Sequence, residues 1–197
     1  MSTAAKRLKA SHSRQLGQVG DRPGLIRVAD NALKPVIQII SYNATEKVES
    51  TGNDISVVLN HLKTCTDHTH WVQVKGLGNA ELFEQLGDLL KVNMLVLEDI
   101  TNTHQRPKLD EYDDYFFTVS RIITYDRACA ELNNTQFSAL VKGNIIISFE
   151  ENYDEHFEAV KARIKSGKGI IRTGGPAYMC YALMDTIIDE YFVIWPI

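Results

Sequence analysis

The chain has 197 residues, 44% of them hydrophobic and 23% charged, and a net charge of −4. That length supports one large domain or two small ones without covalent staples, and the mild acidity disfavours a nucleic-acid binder, which usually shows a basic face. Cys65, Cys129 and Cys180 form no CxxC pair, which fits a reducing compartment, and no run of about 18 apolar residues is present to span a membrane.

Residues 1–24 are polar and basic, and read as a mobile tail ahead of a domain over 25–197. The first 27 residues hold Lys6, Arg7, Lys9, Arg14, Arg22 and Arg27 against Asp21 alone. PVIQIISYN, 35–43, is β-branched, bounded by Pro35 and Asn43, and predicts a strand. NDISVVLNHLK, 53–63, sets Ile55, Val58, Leu59 and Leu62 at helical spacing, with Asn53 or Asp54 as cap. HWVQVKGL, 70–77, predicts a strand. NAELFEQLGDLLKV, 79–92, predicts an amphipathic helix capped by Asn79. MLVLEDI follows as a short helix, and YFFTVSRIITYD, 115–126, as a strand. FSALVKGNIIISFEE, 137–151, predicts a hairpin about Lys142-Gly143-Asn144. YDEHFEAVKARIKSG, 153–167, predicts a helix capped by Asp154 and stopped by Gly167, and 176–194 a long helix with Pro176 in its first turn. This order predicts an α/β fold, a mixed sheet with helices on both faces.

Several stretches carry ligand chemistry. Gly76-Leu77-Gly78 lies where a dinucleotide fingerprint would begin, but Glu81 replaces its third glycine, leaving a β-to-α turn. Cys65, Asp67, His68 and His70 are zinc-type ligands at no standard spacing, and the simplest reading is a solvated loop. No GxSxG and no usefully framed cysteine and histidine occur, so an enzyme gains no positive support. Glu98, Asp99, Asp110, Glu111, Asp113 and Asp114 crowd one stretch, and Asp185 and Asp189 share a face of the last helix. Hard cations take such carboxylates, although a solvated edge does as well for any one acid. Asp185, among Ala182, Leu183, Ile187 and Ile188, reads as an acid that must be paired, liganded or at a subunit interface.

WVQVKGL followed by MLVLEDITNTHQRPKLDEYDDYFFTVSRIITYD resembles the soluble cytoplasmic domain of the CorA magnesium transporters, whose pattern is close to PLVLEDIxNxxQRPK before an aromatic strand. QFSALVKGNIIISFEE resembles the family hairpin, and the run from Ala159 to Ile194 its arginine–glycine turn and LxDxxxDxYF helix. The resemblance covers about 70–194. It implies an α/β/α domain on the cytoplasmic side of the inner membrane, in a pentamer whose pore closes when Mg2+ fills sites between protomers. Co2+ or Ni2+ would substitute. Asp99 matches the main regulatory carboxylate, and Glu98 and Asp185 match the acids of a neighbouring second ion. The family's stalk, membrane helices and Gly-Met-Asn entrance have no counterpart here, and Pro196 would interrupt a continuing helix, so a soluble fragment is expected, monomeric or weakly associated alone. Two alternatives stand beside it: a zinc-transporting relative, on the Cys65–His70 cluster, and a stand-alone α/β binding module.

Overall fold

The computed structural model describes residues 26–126 and 130–194. The expected tail, Cys129 and Pro196 lie outside the described residues. Seven strands and five helices follow in the order β1 (Val36–Tyr42), β2 (Lys47–Gly52), α1 (Ser56–Thr64), β3 (Thr69–Lys75), α2 (Ala80–Leu90), α3 (Met94–Thr101), β4 (Lys108–Glu111), β5 (Tyr115–Asp126), β6 (Glu131–Lys142), β7 (Ile145–Glu150), α4 (Glu158–Ser166) and α5 (Gly175–Ile194). The strands form one sheet in the order β2-β1-β3-β7-β6-β5-β4. Only the central pair β3/β7 is parallel, and every other pairing is antiparallel.

Alternation along the strands divides the core in two. Ile37, Ile39, Val72, Val74, Leu140 and Ile147 face one way, against Val58, Leu82, Phe83, Leu86, Val96, Leu97 and Ile100 of α1, α2 and α3. Ile40, Tyr42, Trp71, Phe137, Ala139 and Ile146 face the other way, against Val160, Ile164, Met179, Leu183 and Ile187 of α4 and α5. The expected mixed sheet between helical layers is what the chain forms. Both sides of the central strands are buried, so each large side chain there is worth about 1.5–3 kcal/mol of burial.

Local signals explain the clearer elements. Asn79 Oδ1 accepts from Leu82 N at 3.2 Å and Asn93 Oδ1 from Leu95 N at 3.0 Å, capping α2 and α3. Gly167 ends α4 at φ 65°. Gly76 and Gly78 serve a close approach: a Cβ on either would stand 2.5 Å from a backbone oxygen, Lys34 O or Ala32 O. The segment is a β-to-α turn laid against residues 32–34, as the simpler sequence reading has it.

Four expectations shift. β2 and β4 carry no strand signal, because KVESTG and KLDE are polar edge strands held by their neighbours. β6 starts at Glu131, six positions before the expected 137, in a stretch that is exposed and polar. α1 starts at Ser56 with Ile55 at the N-cap position, and Asp54 instead accepts from Ser56 N at 2.8 Å. α4 starts at Glu158, not 153, and Asp154 does not cap it. Tertiary contacts claim residues 153–157: Tyr153 Oη donates to Lys34 O at 2.6 Å, and the Phe157 ring is fully buried.

Candidate metal-regulation site

α3 delivers Glu98 and Asp99 in its last turn, on the α1–α3 side of the sheet. Val96, Leu97 and Ile100 anchor the helix in the core, which leaves both acids half-buried at the boundary. Gln136 of β6 fixes this helix end. Its Nε2 donates to Asp99 O at 3.0 Å and to Ile100 O at 3.3 Å, and its Oε1 accepts from Gln105 N at 3.2 Å. Those carbonyls are among the four that a helix C-terminus leaves without internal partners. Arg121 pins the same loop by donating from Nη1 to Thr103 O at 2.8 Å.

Asp99 is engaged at both oxygens. Gln105 Nε2 donates to Oδ1 and Lys108 Nζ to Oδ2, each at 2.6 Å. Lys108 Nζ stands equally close, 2.6 Å, to Asp110 Oδ2, and lies 5.7 Å from the Phe117 ring centroid. The ammonium therefore occupies a pocket between two carboxylates. Burial lowers the Lys108 pKa, but the hydrogen bonds to Asp110 and Asp99 outweigh it and hold the pKa above the usual lysine value. The three side chains remain 21%, 31% and 35% exposed for Asp99, Lys108 and Asp110, so water and ions reach them.

Asp185 lies elsewhere. It is on α5, in the layer on the opposite side of the sheet, and takes a 3.4 Å hydrogen bond from Tyr181 Oη. α5 is not buried all round as its sequence suggests. Cys180, Leu183 and Ile187 pack inward, whereas Tyr181, Ile188 and Phe192 are exposed and Asp185 is half-buried among them. Glu98 and Asp99 come together, and one copy of the chain does not bring Asp185 to them. Among the described residues no three His, Cys, Asp or Glu side chains are grouped to hold a metal.

The Cys65–His70 stretch is not the solvated loop its sequence suggests. Cys65, His68 and His70 are buried, and Asp67 alone of the four is largely exposed. His68 Nδ1 donates to Asp67 Oδ1 at 2.7 Å. His70 instead meets His61 of α1 across Ser41, whose Oγ is 2.8 Å from His70 Nδ1 and 2.7 Å from His61 Nδ1. The hydroxyl has one proton, so with neutral rings it donates to one imidazole and accepts from the other. His61 Nε2 lies 2.9 Å from Ser50 Oγ. Burial, with charge repulsion from His68 and His61, lowers the His70 pKa to about 4, and burial with repulsion from His68 lowers that of His61. The His61–Ser41–His70 link is a buried structural network, while His68 Nε2 has no hydrogen-bond partner and stands 3.6 Å from Glu46 Oε1, and the zinc reading gains nothing from either.

Sequence reasoning had Asp110 among the crowded acids but passed over Gln105, Lys108 and Gln136 as participants. Nothing local paired Lys108 with Asp110, because β4, on which residues two apart share a face, carries no strand signal of its own. Gln136, 36 positions from Ile100, had no local signal.

Known proteins place the chain in a family and share its fold. Residues 66–194 match the family described as CorA-like Mg2+ transporter protein. The chain is 33% identical over 158 residues to the cobalt/magnesium transport protein CorA of Thermotoga maritima, spanning 80% of this chain and 44% of that one. It thus covers less than half the length of that relative. The soluble domain of CorA from Methanocaldococcus jannaschii shares the fold at a TM-score of 0.59 and 12% identity, over 83% of this chain and 59% of that one. The ZntB cytoplasmic domain from Vibrio parahaemolyticus shares it at 0.54 and 14%, over 80% and 62%. No helix among the described residues is long and apolar enough to cross a membrane. With its mixed sheet between two helical layers and the LEDITNTHQRPK block closing α3, the chain belongs to the CorA-like Mg2+ transporter family.

Proposed function

We propose that this chain is the cytoplasmic regulatory domain of a CorA-type divalent-cation channel, which senses Mg2+ through carboxylates at protomer boundaries and so gates the pore of a homopentamer. The domain stands on the cytoplasmic side of the inner membrane and is held there by membrane helices of the longer protein. Asp99 is the main regulatory ligand, with Glu98 and Asp185 serving a neighbouring ion. Co2+ or Ni2+ substitutes for Mg2+ on the same oxygen donors.

The observation that carries this reading is the cation already held at Asp99. Asp99 and Asp110 place an oxygen each 2.6 Å from the Lys108 ammonium, so this donor set accommodates positive charge. Oxygen donors suit Mg2+, which keeps most of its waters and takes only one or two carboxylates. A bound ion would supply positive charge that ties acids of adjacent copies together. Asp185 lies on the other helical layer from Asp99, which favours their meeting across a boundary between copies rather than within one.

The test is a thermal-unfolding titration with Mg2+ at fixed ionic strength. A site present only in the folded state raises stability by RT ln(1 + [L]/Kd). The wild-type midpoint should climb with Mg2+, and Asp99→Ala should flatten the curve. Parallel curves for the two proteins would remove Asp99 from the site.

A further inference from the structure

At the carboxyl ends of the parallel pair β3/β7 lies a polar group that the cation reading does not use. Gln73 and Lys75 share a face with Trp71, and Glu150 shares it with Ser148, whose Oγ accepts from Trp71 Nε1 at 3.0 Å. Lys75 stands directly opposite Glu150 in register. Gln73, Lys75 and Glu150 are only 1%, 7% and 3% exposed. Gln73 Nε2 donates to Glu150 Oε1 at 2.7 Å. Gln73 Oε1, Glu150 Oε2 and Lys75 Nζ have no hydrogen-bond partner, and buried polar atoms without partners are rare enough to need a reason.

A proton on Glu150 would account for the two oxygens. Gln73 and Glu150 already share one hydrogen bond, and the two oxygens left over are both acceptors. A proton on Glu150 Oε2 would supply a donor, and with it the pair could join as an amide–acid couple through both groups. Without that proton, a carboxylate sits in the core and must be paired. The cation opposite it in register is Lys75, which is otherwise occupied. Its Nζ is 2.8 Å from Glu155 Oε1, an ion pair outside hydrogen-bonding angles.

Glu155 belongs to residues 151–157, the strap between β7 and α4. Lys161 of α4 holds Glu155 Oε2 and Glu158 Oε1, each at 3.0 Å. The neighbouring His156 is 3.4 Å from Glu190 of α5 and 4.0 Å from Asp154. The strap ends in Phe157, whose ring meets Trp71 edge-on at 6.3 Å and Phe137 at 5.3 Å.

We propose that Glu150 is a proton-binding site that decides which carboxylate Lys75 serves, and through Lys75 how firmly the strap 151–157 is held to the sheet. With the proton on, Glu150 is neutral, Gln73 satisfies it, and Lys75 and Lys161 together clamp Glu155. With the proton released to solvent, Glu150 draws Lys75 across the strand pair, and Glu155 keeps Lys161 alone. Electrostatics agree with the geometry. Burial raises the Glu150 pKa to about 7, against the opposing pull of Gln73, Lys75 and Lys161 and with the help of Glu155. The two lysines outweigh burial at Glu155 and lower its pKa to about 2, so Glu155 stays charged throughout.

Trp71 is the built-in reporter, and the chain's other tryptophan, Trp195, is removed as Trp195→Phe. Trp71 emission should show one transition centred near neutral pH, and amide exchange of residues 151–157, corrected for its intrinsic pH dependence, should quicken above that midpoint. Glu150→Gln should abolish both. Lys75→Met should move the midpoint upward, because the anion loses its ammonium, and should leave strap exchange independent of pH. The 13C carboxyl shift of Glu150, followed in the wild type, reads the titration directly and does not depend on any variant folding. A carboxyl titrating in the ordinary glutamate range, or an unchanged Trp71 transition in Glu150→Gln, overturns the proposal. So does strap exchange indifferent to the state of Glu150.

Discussion

Two polar clusters occupy the same side of the sheet and have opposite characters. The histidine cluster joins α1 to β1, β2 and β3, and His61, His70 and Ser41 are 2%, 1% and 0% exposed. Its Nδ1 atoms end on one serine and His61 Nε2 on another. The acid–lysine cluster joins α3 to β4, and its members are a fifth to a third exposed. Two carboxylates there share one ammonium, an excess of negative charge open to water. Both sets contain residue types that bind metals, imidazoles in one and carboxylates in the other. Ligand-type side chains become structure when protein groups satisfy them in a dry site, and remain exchangeable when charge is left over at the surface.

That contrast can be broken most sharply at Ser41. Ser41→Ala removes the link between two buried imidazoles and should destabilise the domain by about 1–3 kcal/mol for each nitrogen left without a partner. Urea unfolding reads the change, and a loss near zero would mean that water reaches the site and that the cluster is not closed. Gln136→Ala should come next, at about 1–3 kcal/mol, because it strips donors from Asp99 O and Ile100 O. It should also blunt the Mg2+-dependent thermal shift, since Asp99 sits on the helix end that Gln136 holds.

The histidine cluster should also appear in the pH profile. His61 and His70 have folded pKa values below the unfolded value of 6.5, that of His70 at about 4. The unfolded chain therefore binds more protons between those limits. The stability they contribute is complete above 6.5 and is lost as pH falls toward 4. Glu150 opposes them. Its pKa is raised from 4.5 to about 7, so its contribution is present below 4.5 and lost as pH rises through 7. Wild-type stability should vary little between these limits, whereas in Glu150→Gln it should climb with pH across the acidic side of neutrality. A flat profile in that variant would remove the histidines as a pH-dependent element.

Lys108→Met sharpens the comparison from the other side. At an ion pair a fifth to a third exposed the stability change should stay within about 1 kcal/mol. The Mg2+ titration midpoint should nonetheless move to lower concentration, because the ammonium competing for Asp99 is gone. An unmoved midpoint would mean that Lys108 and Mg2+ do not share Asp99. The smallest effect is expected at Tyr181→Phe, within about 0.5 kcal/mol, since its bond to Asp185 is long and exposed.

Much of the fold was legible where local and global demands agree. Asn79 and Asn93 stand at the starts of α2 and α3, and Gly167 stops α4. β1, β3 and β7 are β-branched runs because helices cover both faces of the sheet. The LEDITNTHQRPK block located Glu98 and Asp99 and the family together. The strap 153–157 looked helical because Asp154 and the spacing after it favour a helix, but Phe157 fills the gap beside Trp71, and burying that ring outweighs one more turn.

The sequence by itself determined the elements with strong periodicity, the α/β class and the acids at the end of α3, because these follow from residues a few positions apart. Only the tertiary structure decided what those residues touch. It set Lys108 between Asp99 and Asp110, drew His70 to His61 through Ser41, brought Gln136 to the end of α3, and left Glu150 opposite Lys75 with an oxygen unmet. Each is a contact between separate elements, set by sheet order and register, and whether a polar side chain acts as ligand, scaffold or proton site depends on the partners and water that this packing leaves it.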